Sequence, residues 1–319
     1  MKKIYLVLFG AMFMTTAFAQ YFAQYGKGGL VLDSTYHTFT YTYHNLGETR
    51  ETKTIYEYNA DKKIAAVYYY DYFDSSGRYF NIPLLNQKQE ASYNDLGQII
   101  QIKTYFYRDG EYELGVIKEM SDFDAATGIP KLILIKKYKQ KQIEKKTVVT
   151  KINNYGIEDE TEYKWNWNKE TLVEYRVTHY DYNSDGTIAK KTTDYGGGYI
   201  TVITYEYDEN KNVTKESSVT TYEGSVTANG TYVDVYTNEY YDDGNLKKVT
   251  KTTVGEEDEP DVDFYFWGDG KAKGGDLTAI NAVRKQMEKI QRIYDLNGRN
   301  VKNPTKGLYI VNGRKVVVK

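Results

Sequence analysis

The sequence predicts an all-β fold: a long antiparallel β-meander of repeated hairpins, laid out as an open single-layer or thin curved sheet, with a small C-terminal β-hairpin module. Three observations carry this prediction. The 319 residues include 35 Tyr against 11 Phe and 4 Pro, and Tyr suits a pleated, half-wet surface because its ring is apolar and its tip polar. One unit recurs along the chain: an aromatic strand end, then Asn or Asp, a short polar turn and an aliphatic residue. Two Asn-Gly steps flanked by alternating apolar residues stand near the end, and such steps are strong hairpin signals.

Residues 1–19 read as a secretory signal peptide. Lys2 and Lys3 form a basic start, an apolar run follows from Ile4 to Met14, and Ala17-Phe18-Ala19 is a small-x-small site with cleavage between Ala19 and Gln20. The apolar run is too short for a spanning helix. Loss of Lys2 and Lys3 leaves 40 basic against 44 acidic residues, a net charge of -4, which gives no whole-chain attraction for nucleic acid or anionic membrane. The chain has no Cys, so neither a disulfide framework nor thiol chemistry is available.

Residues 20–267 form the Tyr-rich repeat body. The unit reads Tyr56-Glu57-Tyr58-Asn59 through Ile64, Tyr93-Asn94-Asp95-Leu96-Gly97 through Ile99, and Phe123-Asp124 through Ile129. It returns as Tyr182-Asn183-Ser184-Asp185-Gly186 through Ile188, Tyr207-Asp208 through Val213, and Tyr241-Asp242-Asp243-Gly244 through Leu246, with Trp165-Asn166-Trp167-Asn168 as a degenerate member. Asn and Asp bond their own backbone and tolerate left-handed dihedrals, and Gly supplies positive φ, so each copy predicts a hairpin turn. A second turn type falls between copies, at Asp109-Gly110, Gly196-Gly197-Gly198 and Ala228-Asn229-Gly230. Thr201, Ile203, Tyr205 and Tyr207 are expected on one face of their strand, and Val202, Thr204 and Glu206 on the other. Lys136-Lys137, Lys145-Lys146 and Lys247-Lys248 put charge on both faces, which argues against an outer-membrane barrel.

Glu256-Glu257-Asp258-Glu259 reads as a solvated loop. Residues 268–289 are a Gly- and Lys-rich linker, with Asp276 capping a short predicted helix that carries Leu277, Ile280, Val283 and Met287 on one side. Residues 290–319 are a separate β module: Tyr294, Asp295, the turn Asn297-Gly298, then Lys306, Gly307, Tyr309, the turn Asn312-Gly313 and Lys315. This tail resembles the C-terminal sorting modules of exported Bacteroidetes proteins, whose longer forms direct cargo through the type IX secretion system. The resemblance implies secretion machinery as a partner of those nine tail residues outside Asn312. The Tyr-Asp-x-x-Gly-x-Ile units of the body resemble the YD repeats of large bacterial surface proteins, which form β-shells. The whole chain also resembles a group of secreted Bacteroidales proteins of unknown function.

Catalytic signatures are sparse. His37, His44 and His179 show no metal-ligand spacing. The Gly268–Gly274 stretch lacks the Gly-Lys-Ser/Thr ending of a phosphate loop. The acidic turns lack a twelve-residue calcium loop, and turn chemistry accounts for them. Trp165 and Trp167, two apart, are expected to share a strand face: buried, they thicken a thin core; exposed, they form a stacking platform. Burial is the favoured expectation, and the pair is the one nominated ligand-binding site. The sequence thus predicts an exported protein, surface-displayed, secreted or periplasmic, that binds or builds and does not catalyse. It has no cofactor, no metal, no nucleic-acid partner and no transmembrane span in the exported chain. A glycan or a surface protein is the candidate partner. A carbohydrate-active enzyme or glycan-binding module, and an architectural self-associating surface protein, stand as alternatives.

Overall fold

The computed structural model describes residues 27–43, 46–73, 79–108, 111–138, 142–256, 260–269, 293–294, 307–311 and 314–318. The predicted signal sequence with Ala19 and Gln20, the predicted helix after Asp276, His44, Asp295, Asn297, Gly298, Lys306 and Gly313 lie outside the described residues. The chain divides into two units, residues 1–274 and 275–319.

Among the described residues the first unit contains sixteen consecutive strands. They are β1 (Val31–Tyr43), β2 (Leu46–Tyr58), β3 (Ile64–Phe73), β4 (Tyr79–Tyr93), β5 (Ile99–Arg108), β6 (Glu111–Phe123), β7 (Pro130–Lys137) and β8 (Ile143–Ile152). There follow β9 (Ile157–Asn166), β10 (Thr171–Tyr182), β11 (Ile188–Asp194), β12 (Tyr199–Tyr207), β13 (Val213–Tyr222), β14 (Ser225–Tyr240), β15 (Leu246–Thr253) and β16 (Asp261–Gly268). Each pairs antiparallel with its neighbour in sequence, and β1 pairs with β16, so the sheet is a closed barrel. This corrects the open or thin curved sheet expected above. The meander is right, but its ends meet: Val31 lies opposite Gly268, Tyr36 opposite Phe264 and Thr38 opposite Val262. Closure removes both unpaired edges, which an open sheet of this length would expose to other chains.

The hairpins alternate between two ends of the barrel. At the first end the turns are built on Asx side chains. Asn94 Oδ1 accepts from the Leu96 and Gln98 amides at 3.1 and 2.9 Å, Asp208 from Asn210 and Asn212 at 3.0 and 2.9 Å, and Asn59 from Asp61 and Lys63 at 3.0 and 2.9 Å. The left-handed position of this turn is Gly97, Gly186 or Gly244 in some copies and Lys62 or Lys211 in others. Both lysines reach a neighbouring segment, Lys62 Nζ donating to the Gly29 carbonyl and Lys211 Nζ to the Asp185 carbonyl.

At four of the turns, successive hairpins are latched by the Tyr that precedes the turn. Tyr58, Tyr93, Tyr182 and Tyr207 donate their hydroxyls to the carbonyls of Leu32, Ile64, Ile157 and Ile188 at 2.7, 2.6, 2.7 and 2.8 Å. Trp267 takes the same role in the last strand, donating Nε1–H to the Leu246 carbonyl at 2.7 Å. Asn238 does so at Val213, at 3.1 Å. Apart from Leu32, the second residue of β1, each accepting residue opens the strand that follows a turn, so the recurrence of Tyr is a device for register as well as for strand propensity.

Two readings of turn phase are corrected. Asn166 does cap a turn, accepting from the Asn168 and Lys169 amides at 3.0 Å each. However, that turn joins β9 to β10 at the second end; the first-end copy is Asn153, which accepts from Tyr155 and Gly156. Ala228-Asn229-Gly230 lies inside β14, within an irregularity that pairs Val219 with Thr231 and Thr221 with Val226. The turn itself is Glu223-Gly224.

Burial separates the two faces. On β10, Thr178 and Tyr180 are buried while Tyr175 and Val177 are exposed; on β14, Asp234 is buried while Val235 is exposed. The inner face so defined includes Thr201, Ile203 and Tyr205 on β12. It carries an apolar cluster of Val67, Ile102, Met120 and Ile133 on β3, β5, β6 and β7. It also carries polar groups paired along the sheet: Tyr180 donates to Glu160 at 2.9 Å, Arg176 meets Glu162 at 3.3 Å, and Thr253 donates to Asp234 at 2.6 Å. Burial holds the Glu160 carboxyl above its ordinary range and lowers Lys118 to about 8. On β1 to β3 residues of the other face, Tyr36, Lys53, Ile55 and Tyr70, are buried as well.

The second unit holds a three-stranded sheet of β17 (Ile293–Tyr294), β18 (Gly307–Val311) and β19 (Arg314–Val318). Tyr294 pairs with Ile310, Gly307 with Val318, Tyr309 with Val316 and Lys315 with Ile310.

Candidate ligand-binding rim

The second end of the barrel differs from the first in chemistry. Among the described residues, eight exposed aromatics stand in or near its hairpins: Tyr107, Tyr112, Tyr138, Trp167, Tyr175, Tyr195, Tyr199 and Tyr222. They gather in pairs. Tyr107 and Tyr112 meet edge to face at 5.4 Å, Tyr175 and Tyr195 at 6.0 Å, and Tyr199 lies 4.5 Å from Tyr222. Strand pairing makes the first and last of these contacts, since Tyr107 lies opposite Tyr112 and Tyr199 opposite Tyr222.

Trp165 and Trp167 belong to this rim. Trp165 is the penultimate residue of β9, opposite Leu172, and Trp167 opens the turn that follows. Their rings meet edge to face at 6.4 Å. Trp167 is 65% exposed, so the expected burial of the pair is corrected: the Asn166 turn carries Trp167 past the end of the strand. Trp165 is half-buried, and its Nε1–H has no hydrogen-bond partner among the described residues.

The two indoles wall a cleft of about 130 Å³ with Lys137, Gln142, Glu144, Lys145 and Lys164. β7, β8 and β9 bring these groups together. Lys145 and Lys164 are directly opposed in the β8–β9 ladder. Lys137 Nζ lies 3.2 Å from Glu144. Lys164 Nζ lies 4.0 Å from Glu162 and 3.1 Å from the centre of the Tyr175 ring, a cation–π contact. The lysines were not nominated from sequence, because residues nineteen apart become neighbours only through the strand register.

Away from the rim, the register also assembles Glu158, Asp159 and His179, whose donor atoms lie within 4.8 Å of one another. These groups are already engaged. His179 Nδ1 pairs with Asp159 at 2.6 Å and Nε2 with Asp181 at 3.2 Å, and Glu158 meets Lys151 and Asn153. The bond to Asp159 holds the His179 imidazole above its ordinary pKa. His37, on the β1–β16 seam, pairs with Asp263 at 2.8 Å.

Among the described residues no helix is long and apolar enough to cross a membrane, which does not bear on strands. No family model matches the sequence, and no curated protein matches it. Among solved structures the chain is similar to a porin-like protein from Bacteroides uniformis, at 10% identity over 74% of this chain and 96% of that one, with a TM-score of 0.47. It is similar to TcdB2-TccC3-TEV at 11% identity over 91% of this chain and 15% of that one, with a TM-score of 0.26. It is also similar to a DUF3836 family protein from Parabacteroides distasonis, at 11% identity over 42% and 87% of the two chains, with a TM-score of 0.15.

Proposed function

We propose that this is an exported β-barrel that binds a flat-faced ligand, a glycan, at its aromatic rim, and that it is a binding protein rather than an enzyme. The observation that carries the reading is the Trp165–Trp167 cleft. Two indoles at right angles, one largely exposed, offer apolar faces to a sugar ring, and the polar groups beside them supply donors. Glycoside hydrolysis uses a pair of carboxylates flanking the bond, and the cleft instead sets three lysines beside one glutamate. Four inner-face carboxylates are engaged in holding neighbouring strands together: Glu160 with Tyr180, Glu162 with Arg176, Glu216 with Tyr232 and Asp234 with Lys251. Export rests on the signal-like residues 1–19, and the tail module is read as the contact for secretion machinery.

The test is a glycan array probed with the purified chain beside Trp167→Ala. The substitution removes an exposed ring and should leave the far-ultraviolet spectrum unchanged. Binding that weakens at least tenfold in the variant supports the reading. Release of reducing ends from a bound glycan, or binding untouched by the substitution, would overturn it.

A further inference from the structure

Resting on the glycan reading, we infer that the rim cleft selects an acidic polysaccharide, one bearing carboxylate or sulfate groups, with Lys137, Lys145 and Lys164 taking the anion while Trp167 stacks on the ring. The argument is the register. Charged residues that face each other directly across this barrel are elsewhere of opposite sign: Glu90 and Lys103, Lys151 and Asp159, Asp181 and Lys190, Glu206 and Lys215, Glu239 and Lys248, Lys251 and Asp261. Like charges directly opposed destabilise a sheet. Two such pairs exist among the described residues. Glu216 faces Asp234, and there Lys251 stands 3.1 Å from Asp234 while Tyr232 donates to Glu216. Lys145 faces Lys164 with less compensation, since Lys145 has no ion pair among the described residues and Lys164 has a carboxylate no nearer than 4.0 Å, with the face of the Tyr175 ring as its other contact.

The exception falls at the one place where two tryptophans wall a cleft, and the third lysine, Lys137, lines the same cleft. An anionic sugar resolves the conflict. Its carboxylate or sulfate accepts from the opposed ammonium groups, and its ring lies against an indole face. Lys suits this task as a compact donor that reaches an anion from any direction.

The experiment measures affinity of the full chain for polygalacturonate and chondroitin sulfate, beside the neutral polymers dextran and laminarin and an oligothymidylate. The variants are Lys145→Gln, Lys145→Arg and Trp167→Ala. The expected result is binding of at least one acidic polymer tenfold or more tighter than either neutral one. That binding falls about tenfold in Lys145→Gln, is kept in Lys145→Arg, and is lost in Trp167→Ala. Its logarithmic salt slope drops by about one in Lys145→Gln. Equal binding of neutral polymers, unchanged in Lys145→Gln, would overturn the inference and leave the glycan reading standing. Acidic binding that survives Trp167→Ala would place it outside the cleft and overturn the inference. Tighter binding of oligothymidylate would overturn it in favour of a single-stranded nucleic acid, which the same chemistry can hold. No binding of any glycan would sink both readings.

Discussion

The Tyr hydroxyl is the smallest unit that explains this fold. At Tyr182 the ring packs beside Tyr155 and the hydroxyl spans to the Ile157 carbonyl of the preceding hairpin. The approach is close: a Cβ on Gly156 would stand 2.8 Å from the Tyr182 hydroxyl oxygen, so glycine there leaves room for the latch. Burial pushes the Tyr182 hydroxyl up to about 12, which keeps it a donor across the whole range in which the protein would be handled. Tyr182→Phe keeps the ring and removes the donor. It should cost about 1 kcal/mol, the ordinary net value of such a bond, with more if the carbonyl is left dry. A urea denaturation curve reads this as a lower midpoint at unchanged slope. An unchanged midpoint would show that the ring alone sets hairpin spacing, as Phe123, which has no hydroxyl, must do at its place in the series. The latch was not legible in the sequence. The recurrence of Tyr was visible, but its acceptor lies one hairpin back, outside any local pattern.

At the scale of strands and turns, legibility followed locality. The Asx turns at Asn59, Asn94, Asp124 and Asp208 were read from sequence because the side chain bonds amides two to four residues on. Phase was lost around Trp165 because the Asn166 turn uses the same chemistry at the opposite end. The seam between β1 and β16 had no local signal at all, since it joins residues more than two hundred positions apart. It also has a charged clasp. Burial lowers the His37 pKa, but the hydrogen bond its ring N–H donates to Asp263 and the charges of Asp263 and Asp261 outweigh it, so the net shift is upward from 6.5. Lys251, which faces the same groups, opposes the shift in part. A raised folded pKa means that the imidazolium stabilises the folded state. Its contribution is fully present below pH 6.5 and is lost as pH rises through the higher folded value. His37→Gln should therefore flatten the fall in stability between acidic and mildly alkaline pH, with His179 unchanged as the internal reference. Parallel pH profiles of melting temperature for both proteins would sink the idea.

For the molecule as a whole, closure was the feature the sequence could not disclose. Composition and periodicity define strands and faces, but whether a twisted meander remains open or meets itself depends on strand number, tilt and stagger summed around the sheet. The candidate site was half legible: the indoles stood out as a pair, while the lysines reached them through register. Closure also sharpens the question of what surrounds the barrel. A lipid-facing barrel presents an apolar band, and a Lys or Arg facing lipid at mid-membrane costs about 2–4 kcal/mol. The outer face here carries Lys88 beside Glu90 at 2.6 Å, Glu119 beside Lys136 at 2.6 Å, and Asp181 beside Lys190 at 2.8 Å. Lys103 and Lys146 stand on the same face within β5 and β8. Several of these groups sit well inside their strands, so a lipid jacket would strip water from charges around much of the circumference. Such pairs are at ease in water, where they add little and cost little. The chain expressed from Met1 should accordingly leave washed cell envelopes in alkaline carbonate without detergent, and run as a monodisperse species in plain buffer. Retention in the membrane pellet, with release only by detergent, would mean that the outer charges are covered or neutralised in place, and the barrel would then be read as a membrane protein with its aromatic rim at the interface.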